Sequence, residues 1–313
     1  MHTVAFYNLE NLFDTKDDRQ TLDEDFLPGG EKDWNQKKYQ KKLFKLGKAI
    51  SKVGYDKTGR SPAVVGLAEV ENRAVVENLI HTKHLKDKDY GLVHYDSPDE
   101  RGIDTALIYQ KTAFEVTDSE TIPLMIYDEQ GQRDYTRDVL HVTGKLNKES
   151  IHILVNHWPS RRSGVNETKD KRIKAALTVR EVIEKIQEKE DDPGILVMGD
   201  FNDDPHSESV KKYLLTPSLI NPMEQIVGSG RGSLNYKHEW NLFDQIILSH
   251  NFLKMERGTH HFAHADIFDD RFLAEWKGKY KGNPFRTFAG RKYLGGYSDH
   301  FPVYIHLKYT PHN

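Results

Sequence analysis

The chain of 313 residues contains no cysteine. A disulfide framework, a thiolate nucleophile and a zinc–thiolate site are therefore excluded. It also lacks any apolar run near the ~20 residues that a membrane span requires. An excess of positive charge is missing as well: 45 Lys and Arg stand against 48 Asp and Glu, a formal net charge of −3. Coating of nucleic acid by bulk charge is thus ruled out, whereas a local basic groove is not. There is no repeat at fixed period, no low-complexity tract and no clear interdomain linker. No leader is read, because Val4 to Leu12 already has the pattern of strand and turn. A chain whose leader had been removed would read the same way, so the compartment is left open.

What is present is ample apolar material, 37% hydrophobic and 11% aromatic residues, enough for a sizeable core. Short apolar runs alternate with helical periodicity. Between Gln36 and Val53 the apolar positions Tyr39, Leu43, Leu46, Ile50 and Val53 recur at spacings of four and three, one face of an amphipathic helix. The lysines on its other face read as solvated surface. Asp170 to Glu190 is a second helix, and Asn72 to Ile80 a shorter one, with Glu71 and Asn72 as helix-start residues. Thr3–Tyr7, Pro62–Ala68, 90–95, 104–109, 114–117, 139–146, 151–156, 194–198, 243–248 and 302–307 read as strands. The expectation is one α/β domain over residues 1–313, its strands shared between two stacked sheets.

Polar residues cluster at the ends of these strands. Asn8 follows VAFY, Glu69 follows AVVGLA, and His157 follows ILVN; Asp200 and Asn202 follow ILVMG. Asp244 opens QIIL, and Asp299 with His300 precedes FPVYIHL. Singly, each has an ordinary explanation as a cap or turn former. Together, carboxylates and amides at the mouths of buried strands converge if the strands lie in neighbouring sheets. Such oxygen donors suit Mg²⁺ or Mn²⁺ far better than zinc.

The ordered set FYNLENLF (6–13), GLAEVEN (66–72), NHWPSR (156–161), MGDFNDDP (198–205), LFDQIILS (242–249) and YSDHFPV (297–303) resembles the endonuclease/exonuclease/phosphatase superfamily, to which pancreatic deoxyribonuclease belongs. The FYNLENLFD opening is most similar to bacterial members. The resemblance spans residue 3 to about 308. It implies a four-layer α/β sandwich, two mostly antiparallel sheets face to face with helices outside, and a metal-dependent hydrolase of phosphoester bonds, most simply of nucleic acid.

By the same resemblance, Glu69 is the principal metal ligand, with Asn8 and Asp299 near the same ion. Asp200 orients or deprotonates the attacking water, and Asn202 hydrogen-bonds the phosphate or that water. His300 pairs with the buried Asp244, acting as base or as cationic phosphate ligand. His157 binds the scissile phosphate and protonates the leaving group. Arg137 faces the phosphate or else pairs with Asp134 or Asp138, and Asp104 stands where a partner for His157 is needed. A second ion, if used, lies near Asp200, Asn202 and His157.

Substrate choice falls to the loops. Residues 14–35 and 260–296 read as insertions. Lys277 to Lys292 carries six basic residues and no acid, interleaved with Tyr280, Phe285, Phe288 and Tyr293, the composition of an anionic-ligand surface or of a solvated loop with packing aromatics. Arg161, Arg162 and Lys169–Lys174 add positive charge after His157. The further tyrosine and asparagine of apurinic endonucleases are not found around 127–147, where Tyr135 is a poor substitute. The extended motifs of inositol phosphatases and the hydrophobic hairpin of membrane-acting sphingomyelinases are also missing. A phosphatase or phosphodiesterase for a small or lipid-linked phosphate is the alternative within enzymes, and an inactive binding module the alternative outside them.

Overall fold

The computed structural model describes residues 1–128, 130–162 and 164–312. Two six-stranded sheets dominate it. The first runs, edge to edge, His260–Ile267, Val303–Tyr309, His2–Leu12, Val64–Val70, Asp104–Gln110 and Tyr90–His94. The second runs Leu219–Ile220, Asp244–Ser249, Gly194–Asp200, Glu149–His157, Val139–Leu146 and Phe114–Ile122. Each sheet has one parallel pair at its centre, His2–Leu12 beside Val64–Val70 and Glu149–His157 beside Gly194–Asp200. The other neighbours are antiparallel.

Alternation along the strands assigns the layers. In Gly194–Asp200, Leu196 and Met198 belong to the core between the sheets, while Ile195 and Val197 face outward. That outward face is covered by Ala175, Ala176, Val179 and Ile183 of the helix Lys169–Lys189. On the other side, the helices Gln36–Ile50 and Arg73–Ile80 bury Leu43, Leu46, Val76 and Leu79 against the first sheet. The sequence therefore folds as the expected four-layer α/β sandwich. Asn35 and Asn72 cap the two helices, accepting from the backbone N–H of Lys38 and Val75.

Three elements depart from the sequence reading. The first strand does not end at Asn8 but continues to Leu12 through an irregularity in which Glu10 and Asn11 have positive φ. The segment 260–296 is not simply an insertion loop, because His260–Ile267 forms an edge strand. Its run of histidines and its exposed side hide the usual apolar alternation. Finally, the lysine face of Gln36–Ile50 is only partly solvated: Lys37 and Lys41 are exposed, the other lysines are partly or fully covered. Lys38, Lys45 and Lys48 lie 4.8 to 5.1 Å from the ring centroids of Tyr293, Phe285, Tyr297 and Phe272. Lys42 is buried, donating to Glu10 O and Thr287 Oγ1, both at 2.6 Å. Much of the basic–aromatic segment is thus a packed strap across this helix, held by cation–π contacts. Phe285, Phe288 and Tyr293 serve that packing, while Tyr280 remains exposed.

Candidate active site

The parallel strand pairs of both sheets end at the same mouth of the sandwich. Strand register sets three residues of the second sheet side by side, Asp200 paired with His157 on one flank and with Asp244 on the other. From the first sheet come Asn8 and Glu69. Glu69 sits at an irregularity between Ala68 and Val70 with φ of 61°, a left-handed conformation that re-aims its side chain. Its Oε2 accepts the backbone N–H of Asn11 at 2.8 Å, so the two irregular strand ends brace each other.

The expected residues converge. Asn8 Nδ2 donates to Asp200 Oδ2 at 3.0 Å and lies 3.4 Å from Glu69 Oε1, while its Oδ1 accepts Glu10 N–H. His157 Nε2 stands 3.8 Å from both Glu69 Oε1 and Asp200 Oδ2. His300 Nδ1 is 2.6 Å from Asp244 Oδ2, and its Nε2 lies 3.9 Å from Asp200 and 4.0 Å from Asp299. Ser298 clamps this turn, donating to Asn8 O and accepting His300 N–H. Asn202, at φ of 50°, donates its backbone N–H to Asp200 Oδ1 and its side-chain amide to Trp158 O.

The environment separates the two histidines. Burial alone would lower His300, but the carboxylate of Asp244, backed by Asp200 and Asp299, holds it well above the ordinary imidazole range. His157 goes the other way: burial, with the positive charges of Arg137 and Arg101, pushes it well below that range. Burial and the nearby Asp244 push Asp200 up to about 7. The site therefore holds a cationic imidazole, a neutral one and a carboxyl of near-neutral pKa.

Two expectations are corrected. Asp104 is not the partner of His157; it accepts from Ser97 and bonds His94 Nε2 at 3.0 Å, because the strand pairing sets it beside Tyr90–His94. Among the described residues, His157 Nδ1 has no hydrogen-bond partner. Arg137 pairs with neither Asp134 nor Asp138, although its charge is felt by both Glu69 and His157. It is buried, with Nη1 3.0 Å from Asp99 and Nη2 donating to Trp158 O. Asp134 is taken by Lys171, and Arg137 instead fixes the backbone that follows His157. Arg161 is likewise engaged, with Asn202 O and Asp203.

The sequence reading missed Glu10 and Lys42. Glu10 accepts the backbone N–H groups of Thr287 and Phe288 and ties the strap to the catalytic strand. Burial and the neighbouring Asp299 raise it to about 7. The available signal was Lys42 itself, three residues after Tyr39 on the otherwise apolar stripe. Arg286, known only as one charge of a basic run, donates to Asp299 Oδ2 at 2.7 Å.

The donor set fits a hard divalent cation. The carboxylates of Glu69, Asp200, Asp244 and Asp299 gather at this mouth, and Asp200 is raised first by burial and then by the charge of Asp244. Asp200, Asp244 and His300 bring one donor atom each within 4.8 Å of one another. His300 Nδ1 and Asp244 Oδ2 are taken up with each other, Asp244 Oδ1 has no partner among the described residues, and the carboxylates of Glu69 and Asp200 share the Asn8 amide.

A family model described as the endonuclease/exonuclease/phosphatase family matches residues 3–309. The chain belongs to that family. Its members are hydrolases of phosphoester bonds. Among solved structures, a humanized D. rerio TDP2 superposes with a TM-score of 0.61 at 16% identity, covering 98% of each chain. The Bacteroides thetaiotaomicron mannosyl-6-phosphatase gives a TM-score of 0.61 at 16% identity, covering 99% of this chain and all of the other. The human Nocturnin catalytic domain with bound sulfate gives 0.57 at 15% identity, covering 99% and 93%. These likenesses show the fold. No curated protein sequence matches the chain.

Proposed function

We propose that this family member is a divalent-metal-dependent phosphoesterase that hydrolyses phosphodiester bonds of nucleic acid. The observation that carries the reading is the meeting of His300–Asp244, Asp200 and His157 at one mouth, with the two imidazoles held in opposite protonation states. Hydrolysis of a phosphodiester needs an activated water, neutralisation of charge on the phosphoryl oxygens and a stabilised leaving oxygen.

Asp200, a carboxyl near neutral pKa held by Asn202 N–H and Asn8, orients the attacking water and takes its proton in this reading. His300, kept cationic by Asp244, attracts the phosphoryl oxygens. His157, neutral and 3.8 Å from Asp200, hydrogen-bonds the scissile phosphate on the side of the leaving oxygen, which takes its proton from solvent. Asn202 holds the Asp200 carboxylate in line. Glu69, Asp299 and Asn8 would hold Mg²⁺ or Mn²⁺, which when bound supplies further neutralisation of developing charge. Nucleic acid is supported by the exposed lysines beside the site and by one structural neighbour, D. rerio TDP2, solved with a single strand DNA product (TM-score 0.57, 16% identity).

The test is hydrolysis of bis-p-nitrophenyl phosphate with Mg²⁺ or Mn²⁺ and with EDTA, followed by plasmid DNA against phosphoinositide and a sugar phosphate. Turnover that EDTA abolishes, with DNA the best substrate, is expected. Asp200→Ala and His300→Ala should each lower the rate by at least ~10² with folding intact. Preference for phosphoinositide or sugar phosphate would replace the nucleic-acid assignment. No metal-dependent turnover on any phosphoester would leave a binding module.

A further inference from the structure

Beside the candidate site lies a groove of about 440 Å³ that shares only Asp299 with the chemistry above. One wall is the hairpin formed by Leu234–Tyr236 and Glu239–Asn241; the other is the segment 275–290. Asn283 donates across from one wall to the other, onto Asn235 Oδ1 at 3.2 Å. The second wall is ordered by its own backbone hydrogen bonds, Glu275 N–H to Asn283 O and Gly282 N–H to Glu275 O, which put Lys279 and Tyr280 near its tip. At its inner end the groove is lined by Arg286 and Asp299, so it opens directly onto the catalytic mouth.

The hairpin tip is unusual in its choice of residues. Lys237 and His238 form a two-residue turn with φ of 50° and 71°. Two left-handed positions in such a turn favour Asn-Gly, and side chains with a Cβ are strained there. What the strained residues provide is placement. The His238 ring lies nearly parallel to Tyr280, 10° between planes and 6.1 Å between centroids, and both side chains are open to solvent. Lys237 and Lys279 flank this aromatic pair, and each sits against a neighbouring tyrosine ring at 5.2 and 5.6 Å.

We propose that this groove is the subsite for an unpaired base of single-stranded nucleic acid, adjacent to the phosphodiester being cleaved. The inference rests on the phosphodiesterase reading and narrows it to strands whose bases are free to leave the stack. An open pair of near-parallel rings offers a flat surface on which any base can stack. Lysines on both sides meet the phosphates that flank that base, and Arg286 joins the subsite to the reacting group. A lipid chain would gain nothing from the lysines. A neutral sugar has no charge to set against Lys237 and Lys279, the lysines of the groove, where Arg286 is paired with Asp299 and Glu275 also lines the wall. A duplex presents no free ring face to the groove.

The experiment compares a single-stranded thymidine oligonucleotide with the same strand carrying abasic spacers. Turnover is read as kcat/KM with Mg²⁺, and binding is read by fluorescence anisotropy in EDTA. Wild type should favour the base-bearing strand by ~10-fold or more, mainly through KM. Tyr280→Ala should bring that ratio toward one, whereas Tyr280→Phe should keep it. Lys237→Asn combined with His238→Gly should also collapse the ratio while raising thermal stability, since it relieves the turn, so loss of folding cannot account for the result. Equal binding of the two strands by wild type, or an unchanged ratio in both Tyr280→Ala and the hairpin variant, overturns the inference even if both strands are cleaved. Base-dependent binding with no turnover leaves the subsite standing and removes the phosphodiesterase reading instead.

Discussion

Replacing Asp244 by Asn tests the pairing on which the electrostatics of the mouth depend. Asp244 is fully buried, and its Oδ2 lies 2.6 Å from His300 Nδ1. Asparagine keeps the shape and removes the charge. The remaining carboxylates sit farther away, Asp200 at 3.9 Å and Asp299 at 4.0 Å from Nε2, and Asp299 already accepts from Arg286. Burial then decides, and His300 should fall from well above the ordinary imidazole range to below it. Removing one member of a buried charge pair costs about 3–5 kcal/mol, part of which the imidazole avoids by releasing its proton. The sign of the pH dependence follows. Because the folded-state pKa of His300 is raised, its stabilisation is fully present below the unfolded value of about 6.5 and is lost as pH rises through the folded value. The stability deficit of the variant should therefore be largest in mild acid and shrink toward alkaline pH. Loss of the cationic group should lower kcat/KM by ~10²–10⁴ at neutral pH. Asp200 loses the raising charge of Asp244 and, with a neutral His300, a smaller lowering one, so it should titrate only modestly below its present value of about 7. Urea unfolding from pH 5 to 9, NMR titration of the His300 ring and the pH–rate profile measure the three effects separately. A His300 ring that still titrates well above the ordinary range, or a kcat/KM within ~3-fold of wild type, refutes the assignment of Asp244 as the charge that sets its state.

Two further outcomes follow from the fold around the site. Gly199 precedes Asp200 between two strands, and a Cβ there would overlap the backbone carbonyl of Asn156; Gly199→Ala should cost more than ~2 kcal/mol and reduce activity with it, read by thermal unfolding and turnover. Glu71 is raised to about 8 by burial, with Asp14, Asp23 and Asp18 adding to the effect of burial. Its contribution to stability is present below about 4.5 and is lost as pH rises through 8, so Glu71→Gln should match wild type near pH 4 and exceed it by on the order of 3 kcal/mol above pH 8. Equal denaturation midpoints above pH 8 as well would show that Glu71 titrates in the ordinary carboxylate range in the folded chain.

The local chemistry of this protein was legible in its residues. The four-and-three spacing from Tyr39 to Ile50 defines a helix whatever it packs on, and the apolar runs before Asp200 and Glu69 define buried strands. Acids, amides and imidazoles at strand ends pointed to an oxygen-rich site suited to a hard divalent cation, and it was the resemblance of their ordered motifs to a known family that implied phosphoester chemistry. Partnership was another matter. Asp104 is 53 positions from His157 and was assigned to it, yet strand register delivers it to His94. Arg137 was weighed against its sequence neighbours, while its carboxylate, Asp99, arrives from a separate loop. The lysines of Gln36–Ile50 have a period that any solvated face would show. Only the return of the chain nearly 250 residues later covers Lys38, Lys45 and Lys48 with aromatic rings and buries Lys42 beneath Thr287. The protonation states were decided there too, since His157 and His300 are the same residue type at strand ends. Burial and charge are sums over three-dimensional neighbours, so one ring is neutral and the other cationic for reasons that no linear spacing contains.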